Sequence, residues 1–94
     1  MPRPSIHPGE ILSDELVELN VTATALARDI KVPPNRISQI IQGKRSITGD
    51  TALRLGHWFG MNPQFWLNLQ SQFDLRLAEA QAGKDIKKLP TRAA

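Results

Sequence analysis

The sequence predicts an all-α domain of five helices. Three observations carry that reading. Apolar residues recur at spacings of three and four along most of the 94-residue chain, no stretch alternates apolar and polar with the strand period of two, and proline or glycine stands at the joints between the periodic runs. Internal repeats and low-complexity runs are absent from the sequence. A chain of this length buries about 60–65% of its unfolded surface, enough for one core and too little for two. The domain is expected over residues 1–83, followed by a flexible basic tail, 84–94.

The first helix is predicted over about residues 8–19, with Leu12, Leu16 and Leu19 on one face and acids mostly between them. "HPGE" opens it: His7 near the cap, Pro8 at the first helical position and Glu10 where the macrodipole favours an acid. His7 is thus read as structural, and His57 stands too far along to pair with it as a metal ligand. Thr22 caps a second, short helix with Leu26, Ala27 and Ile30 inward. In "KVPPN", Pro33 forces Val32 out of the α region, Pro34 does the same to Pro33, and Pro34 then fits the first turn of a third helix. That helix runs from Pro34 to Gln42 with Ile37, Ile40 and Ile41 as its apolar stripe, and Gly43 supplies a left-handed end. Thr48 caps a fourth helix, with Asp50 in its first turn, Ala52, Leu55 and Phe59 inward, and Gly60 as its stop. Asn62 and Pro63 open a long fifth helix, expected to end near Ala82, with Trp66, Leu69, Phe73, Leu77 and Ala80 on its main stripe.

Composition removes several function classes. With no cysteine there is neither a disulfide framework nor a thiolate metal site. No uncharged apolar run is long enough to span a bilayer and no leader-like segment follows Arg3, so a soluble cytoplasmic protein is expected. No nucleophile, base and orienting group share a motif, and no metal-ligand spacing occurs, so neither enzyme activity nor a cofactor is expected. Charge is segregated more strongly than the net +3 suggests. Glu10, Asp14, Glu15 and Glu18 face no base in the first helix, whereas Lys31, Arg36, Lys44, Arg45 and Arg54 face only Asp50 in the middle segment. An anionic partner would meet that middle segment.

Helices two and three, about residues 22–42, have the layout of a helix-turn-helix reader of DNA. The outer face of the third helix carries the groups such chemistry needs. Asn35 and Gln39 can bond an adenine edge, Arg36 can grip guanine, and Ser38 can reach base or phosphate. Lys44, Arg45 and Ser46, just past Gly43, are expected on the phosphate backbone, with Thr22 and the free amides of helix two as a further phosphate site. All five aromatics (Trp58, Phe59, Phe65, Trp66, Phe73) follow the motif, so the basic segment has no stacking platform for single strands and duplex DNA is favoured.

From "HPGEIL" through "TALARDIKVPPNRISQIIQGKRSIT" to "DTALRLGHWFGMNPQFWLNLQSQFDL", about residues 7–75, the sequence resembles the HigA/VapI antitoxins within the lambda-repressor-like, XRE-type helix-turn-helix proteins. The resemblance implies a five-helix lambda-repressor-like domain in a bacterial cytoplasmic antitoxin. It further implies a homodimer that binds a near-palindromic duplex operator, represses its own operon and neutralises a HigB-like toxin that cleaves messenger RNA. Carried over by position, Asn35 and Gln39 are base readers and Arg36 and Lys44 lie near the backbone. Pro34 stands where repressors often place a polar reader and can offer only an apolar contact, such as to a thymine methyl. Gly49 departs from the better helix former expected there.

Leu67 and Leu75 fall off the main stripe of the fifth helix and are assigned to a dimer interface. "FWLNLQ" is read as core or dimer packing rather than a ligand pocket, with Asn68 and Gln70 exposed or bonding within the interface. Two other readings stay open: a stand-alone XRE-type regulator without a toxin, and a helical protein-binding module, docking through its acidic first helix, that does not read DNA.

Overall fold

The computed structural model describes residues 6–92 and holds, among them, five helices and no strand. These are α1 (Pro8–Leu19), α2 (Ala23–Ile30), α3 (Pro34–Ile41), α4 (Gly49–Phe59) and α5 (Gln64–Lys87). Residues 1–5 of the expected domain and 93–94 of the expected tail lie outside the described residues.

Local chemistry accounts for the boundaries. The Oγ1 atoms of Thr22 and Thr48 accept the N–H groups of Ala25 and Thr51, capping α2 and α4. At α1 a histidine does this work: Nδ1 of His7 accepts the Gly9 N–H at 2.9 Å, while the His7 N–H donates to the Glu10 carboxylate at 3.2 Å. This reciprocal box needs an unprotonated Nδ1. Burial lowers the pKa of His7 below its ordinary 6.5, against the opposing pull of Asp74 and Glu10. Pro33, at φ −59° and ψ 140°, leads Pro34 into the first turn of α3. Gly43 and Gly60 lie in the left-handed region at φ 76° and 69°, so α3 and α4 end as the sequence indicates. Lys31 also adopts a left-handed conformation, φ 58°, at a cost of about 1 kcal/mol. Val32 N–H bonding to Ala27 O at 3.0 Å closes the turn around it.

Leu12 and Leu16, Leu26, Ala27 and Ile30, Ile37 and Ile40, Ala52 and Leu55, and Trp66 bring all five helices into one core, with Val32 and Ile47 added from the connections. Fully burying each large aliphatic side chain contributes about 1.5–3 kcal/mol. α3 packs on α1 and α2, α4 on α2 and α5, and α5 on α1 and α4. The start of α1 and the end of α3 approach closely: a Cβ added to Gly9 would overlap the carbonyl oxygen of Ile40.

α5 departs from expectation in length and in facing. It continues through Gly83 to Lys87 instead of ending near Ala82. One helical glycine costs about 1 kcal/mol relative to alanine, Lys84 and Lys87 suit the negative end of the macrodipole, and no proline intervenes before Pro90. Only the first turns of α5 meet the other helices. Trp66 is buried, and Leu67 and Leu69 pack on the same core. The Phe73 ring meets His7 edge to face at 4.8 Å. Beyond that, Leu77 and Ala80 are exposed, contrary to the expected inward stripe, and Leu67 is partly buried against its own domain. The cause is geometric: a helix of 24 residues is about 36 Å long, longer than the face the shorter helices present.

Gly9→Ala should destabilise the fold by about 1–3 kcal/mol, because α1 and α3 must separate to admit the methyl group. Urea denaturation monitored by Trp fluorescence checks this; an unchanged midpoint would contradict the close approach.

Candidate nucleic-acid interface

The reading helix is held from below and from the side. Ile37 and Ile40 are fully buried, which sets the rotation of α3 and turns the intervening residues outward. Pro34 and Asn35 are exposed, while Arg36, Ser38 and Gln39 are half-exposed. The Ser38 hydroxyl lies 3.3 Å from both the Pro34 and Asn35 carbonyl oxygens, its proton turned to its own helix, so a phosphate would have to compete for it. Thr22 is exposed at the start of α2, with its oxygen already capping that helix.

Asp50 organises the flank of α3. Its Oδ2 accepts Nε of Arg54 at 2.9 Å and lies 3.8 Å from Nη1 of Arg36. Arg54 also donates through Nη1 to the Ile30 carbonyl at 2.7 Å, satisfying a free acceptor at the end of α2. Trp58 Nε1 adds a second tie from α4 to α2, donating to Asp29 at 3.2 Å. Partly exposed ion pairs contribute little stability, about 0–1 kcal/mol; here they set the direction of Arg36. The Asp50–Arg54 pair could have been read from its i, i+4 spacing.

Lys44, Arg45 and Ser46 are exposed on the loop after Gly43. The Lys44 N–H donates to the Gln39 carbonyl at 2.9 Å, closing α3 onto that loop. Arg36, Arg45, Ser46, Thr48, Asp50 and Thr51 line one cleft, which brings Arg36 of α3 together with Arg45 and Ser46 of its loop, whereas Pro34, Asn35, Ser38, Gln39 and Lys44 do not line it. The acids of α1 (Glu10, Asp14, Glu15, Glu18) are exposed on a different helix.

One residue of α5 fixes this loop. Gln70 is not exposed but only 5% accessible. Its Oε1 accepts the Ile47 N–H at 2.8 Å and its Nε2 donates to Asp74 at 3.0 Å. The signal was available, since Gln70 lies four residues after Trp66 and three before Phe73, on the inward face. Asn68 is exposed as expected and bonds Gln64. Trp66 is core, as read from "FWLNLQ", while Phe65 is 40% exposed. Among the described residues no cluster of three potential ligands could hold a metal ion.

Residues 12–66 match the helix-turn-helix family model. A solved structure described as an addiction module antidote protein of a HigA family, from Coxiella burnetii, is 48% identical, covers 97% of this chain and 100% of its own, and superposes with a TM-score of 0.94. The chain belongs to the HigA/VapI family of helix-turn-helix proteins. Virulence-associated protein I of Dichelobacter nodosus is 49% identical over 81% of this chain and 71% of its own length. The Pseudomonas aeruginosa antitoxin HigA, solved with the higBA promoter, is 43% identical, with a TM-score of 0.90 over 95% of this chain and 99% of that one. The expected five-helix repressor-like fold is thus the fold of this HigA/VapI-type chain.

Gln70→Leu should destabilise the domain by about 1–3 kcal/mol by leaving the buried Ile47 N–H without an acceptor, and should loosen the 43–48 loop. Hydrogen exchange at the Ile47 amide, compared with that of core amides such as Leu55, measures both. Retained protection at Ile47 would show that the loop is held otherwise.

Proposed function

We propose that this chain is the antitoxin of a type II toxin–antitoxin module: a homodimeric, sequence-specific autorepressor of its own operon that also neutralises a HigB-like, messenger-RNA-cleaving toxin in the cytoplasm. The observation that carries the DNA-binding part is the outward polar face of α3, continuous with a basic loop and anchored on buried Ile37 and Ile40. Similar chains solved with promoter or operator DNA support it. Base reading falls to Asn35, Arg36 and Gln39, with Pro34 as an apolar neighbour, and phosphate binding to Thr22, Ser38, Lys44, Arg45 and Ser46. Nothing in this role needs an enzymatic group or a cofactor, and no described helix is long and apolar enough to cross a membrane. Kinship with HigA antitoxins supports toxin neutralisation; co-expression with a HigB-like, messenger-RNA-cleaving toxin, read as rescue of growth, tests that part.

What α5 leaves uncovered supports dimerisation. Leu75 is 63% exposed, with Leu77, Ile86 and Leu89 exposed beyond it, and a second copy would remove this surface from water. Leu67, turned toward its own core, can contribute only its remaining edge. Two reading helices about 34 Å apart would then engage a near-palindromic site. Leu75→Asp should give a folded monomer with weaker operator binding, as read by sedimentation and circular dichroism; a variant that still sediments as a dimer would move the interface elsewhere.

Asn35→Ala and Gln39→Ala should each weaken operator binding by about 1–3 kcal/mol and leave non-specific binding nearly unchanged. Lys44→Ala should instead weaken all duplexes alike and lower the salt slope by about one unit. Fluorescence anisotropy on operator and scrambled DNA at several salt concentrations separates the two classes. Equal losses on both DNAs for all three variants would reject these reader assignments.

A further inference from the structure

By sequence position Arg45 is a phosphate contact, but its geometry gives it a second task. Its Nε–H donates to Oε1 of Gln39 at 2.9 Å, reaching from the loop back onto the reading helix. We propose that Arg45 is a positioning residue for base recognition, which sets the orientation of the Gln39 amide before DNA arrives. The inference rests on the assignment of Gln39 as a base reader.

The physical reason lies in the symmetry of the amide. A glutamine amide rotates freely about its last torsion, and its two orientations present opposite donor and acceptor patterns at nearly the same steric cost. A guanidinium carries only donors, so the amide oxygen alone can face it. The bond is charge-assisted, and so stronger than a neutral one. With Oε1 held by Arg45, the amide nitrogen and the second oxygen lone pair remain for a base edge. That pattern suits adenine, which offers N7 as acceptor and its 6-amino group as donor, whereas the flipped amide would set donor against donor and acceptor against acceptor.

Both ends of this strut are fixed. Gln39 belongs to α3, whose rotation is set by Ile37 and Ile40, and the loop carrying Arg45 is tied by Lys44 N–H to Gln39 O and by Ile47 N–H to Gln70 Oε1. Only Nε is used in the strut, so the terminal nitrogens of Arg45 remain for a phosphate. One side chain thereby links docking on the backbone to selection of a base, and the rotamer freedom of both residues is restricted before binding.

The test uses the full-length protein and the strongest duplex selected from a random pool, with each base pair substituted in turn and affinities read by anisotropy. In the parent, the pair read by Gln39 should show a preference of roughly 5- to 150-fold. Gln39→Ala should flatten it toward one. Arg45→Ala and Arg45→Lys should flatten the same pair, over and above any loss common to operator and scrambled DNA from the altered phosphate contact; the lysine variant keeps the charge but lacks the Nε donor. Gln39→Ala combined with Arg45→Lys should be no flatter than Gln39→Ala alone. Uniform weakening by both Arg45 variants with that preference intact would overturn the proposal, leaving Arg45 a phosphate contact only. Flattening at a different pair would overturn it in favour of direct reading by Arg45. If Gln39→Ala leaves every preference intact, Gln39 is not a reader and the inference falls with that assignment, a failure recognisable without any Arg45 variant.

Discussion

Burial of Ile37 and Ile40 is the constraint on which the rest of the structure depends. Both side chains are fully withdrawn from water, and because they are three residues apart on one helix they fix the rotation of α3 as well as its attachment. Every polar residue between and beside them is thereby assigned a direction. A slip of one position would turn the amides inward and leave buried polar groups to be satisfied, at a cost of about 1–3 kcal/mol each. The other helices serve this placement: α1 and α2 supply the floor, and the absence of a side chain at Gly9 lets the start of α1 touch the end of α3.

Around this anchor the recognition surface is stiffened by polar contacts that carry little stability individually. Asp50 bridges Arg36 and Arg54, Arg54 caps the last turn of α2, and Arg45 meets Gln39. Gln70 differs from these, because its bond to the Ile47 N–H lies in the interior, where a lost partner is not replaced by water. It couples α5, the element with surface to spare, to the loop that leaves the reading helix. A change at α5 that moved Gln70 would reach the loop through that one hydrogen bond.

Helix boundaries were legible because the residues that set them act locally. His7, Thr22 and Thr48 cap through atoms two or three residues away, the paired prolines act on their immediate neighbours, and Gly43 and Gly60 differ from other residues in backbone freedom alone. The polar face of α3 was legible for the same reason, since period and residue type are both written along eight residues. The family resemblance was carried by contiguous motifs and did not require the fold.

What the sequence by itself determined about this protein is therefore its class, the extents of α1 to α4, the motif and the residues that face outward from it. Tertiary structure alone decided how far α5 would be covered, since the apolar pattern extends past the helices available to meet it and leaves Leu75 and Leu77 in water. It also decided that Gln70 would bond Ile47 across 23 residues and that Arg54 would cap Ile30 across 24. The physical reason is range: caps and turns depend on neighbours in the chain, whereas these contacts depend on where separate helices pack, and packing is set by the whole core at once.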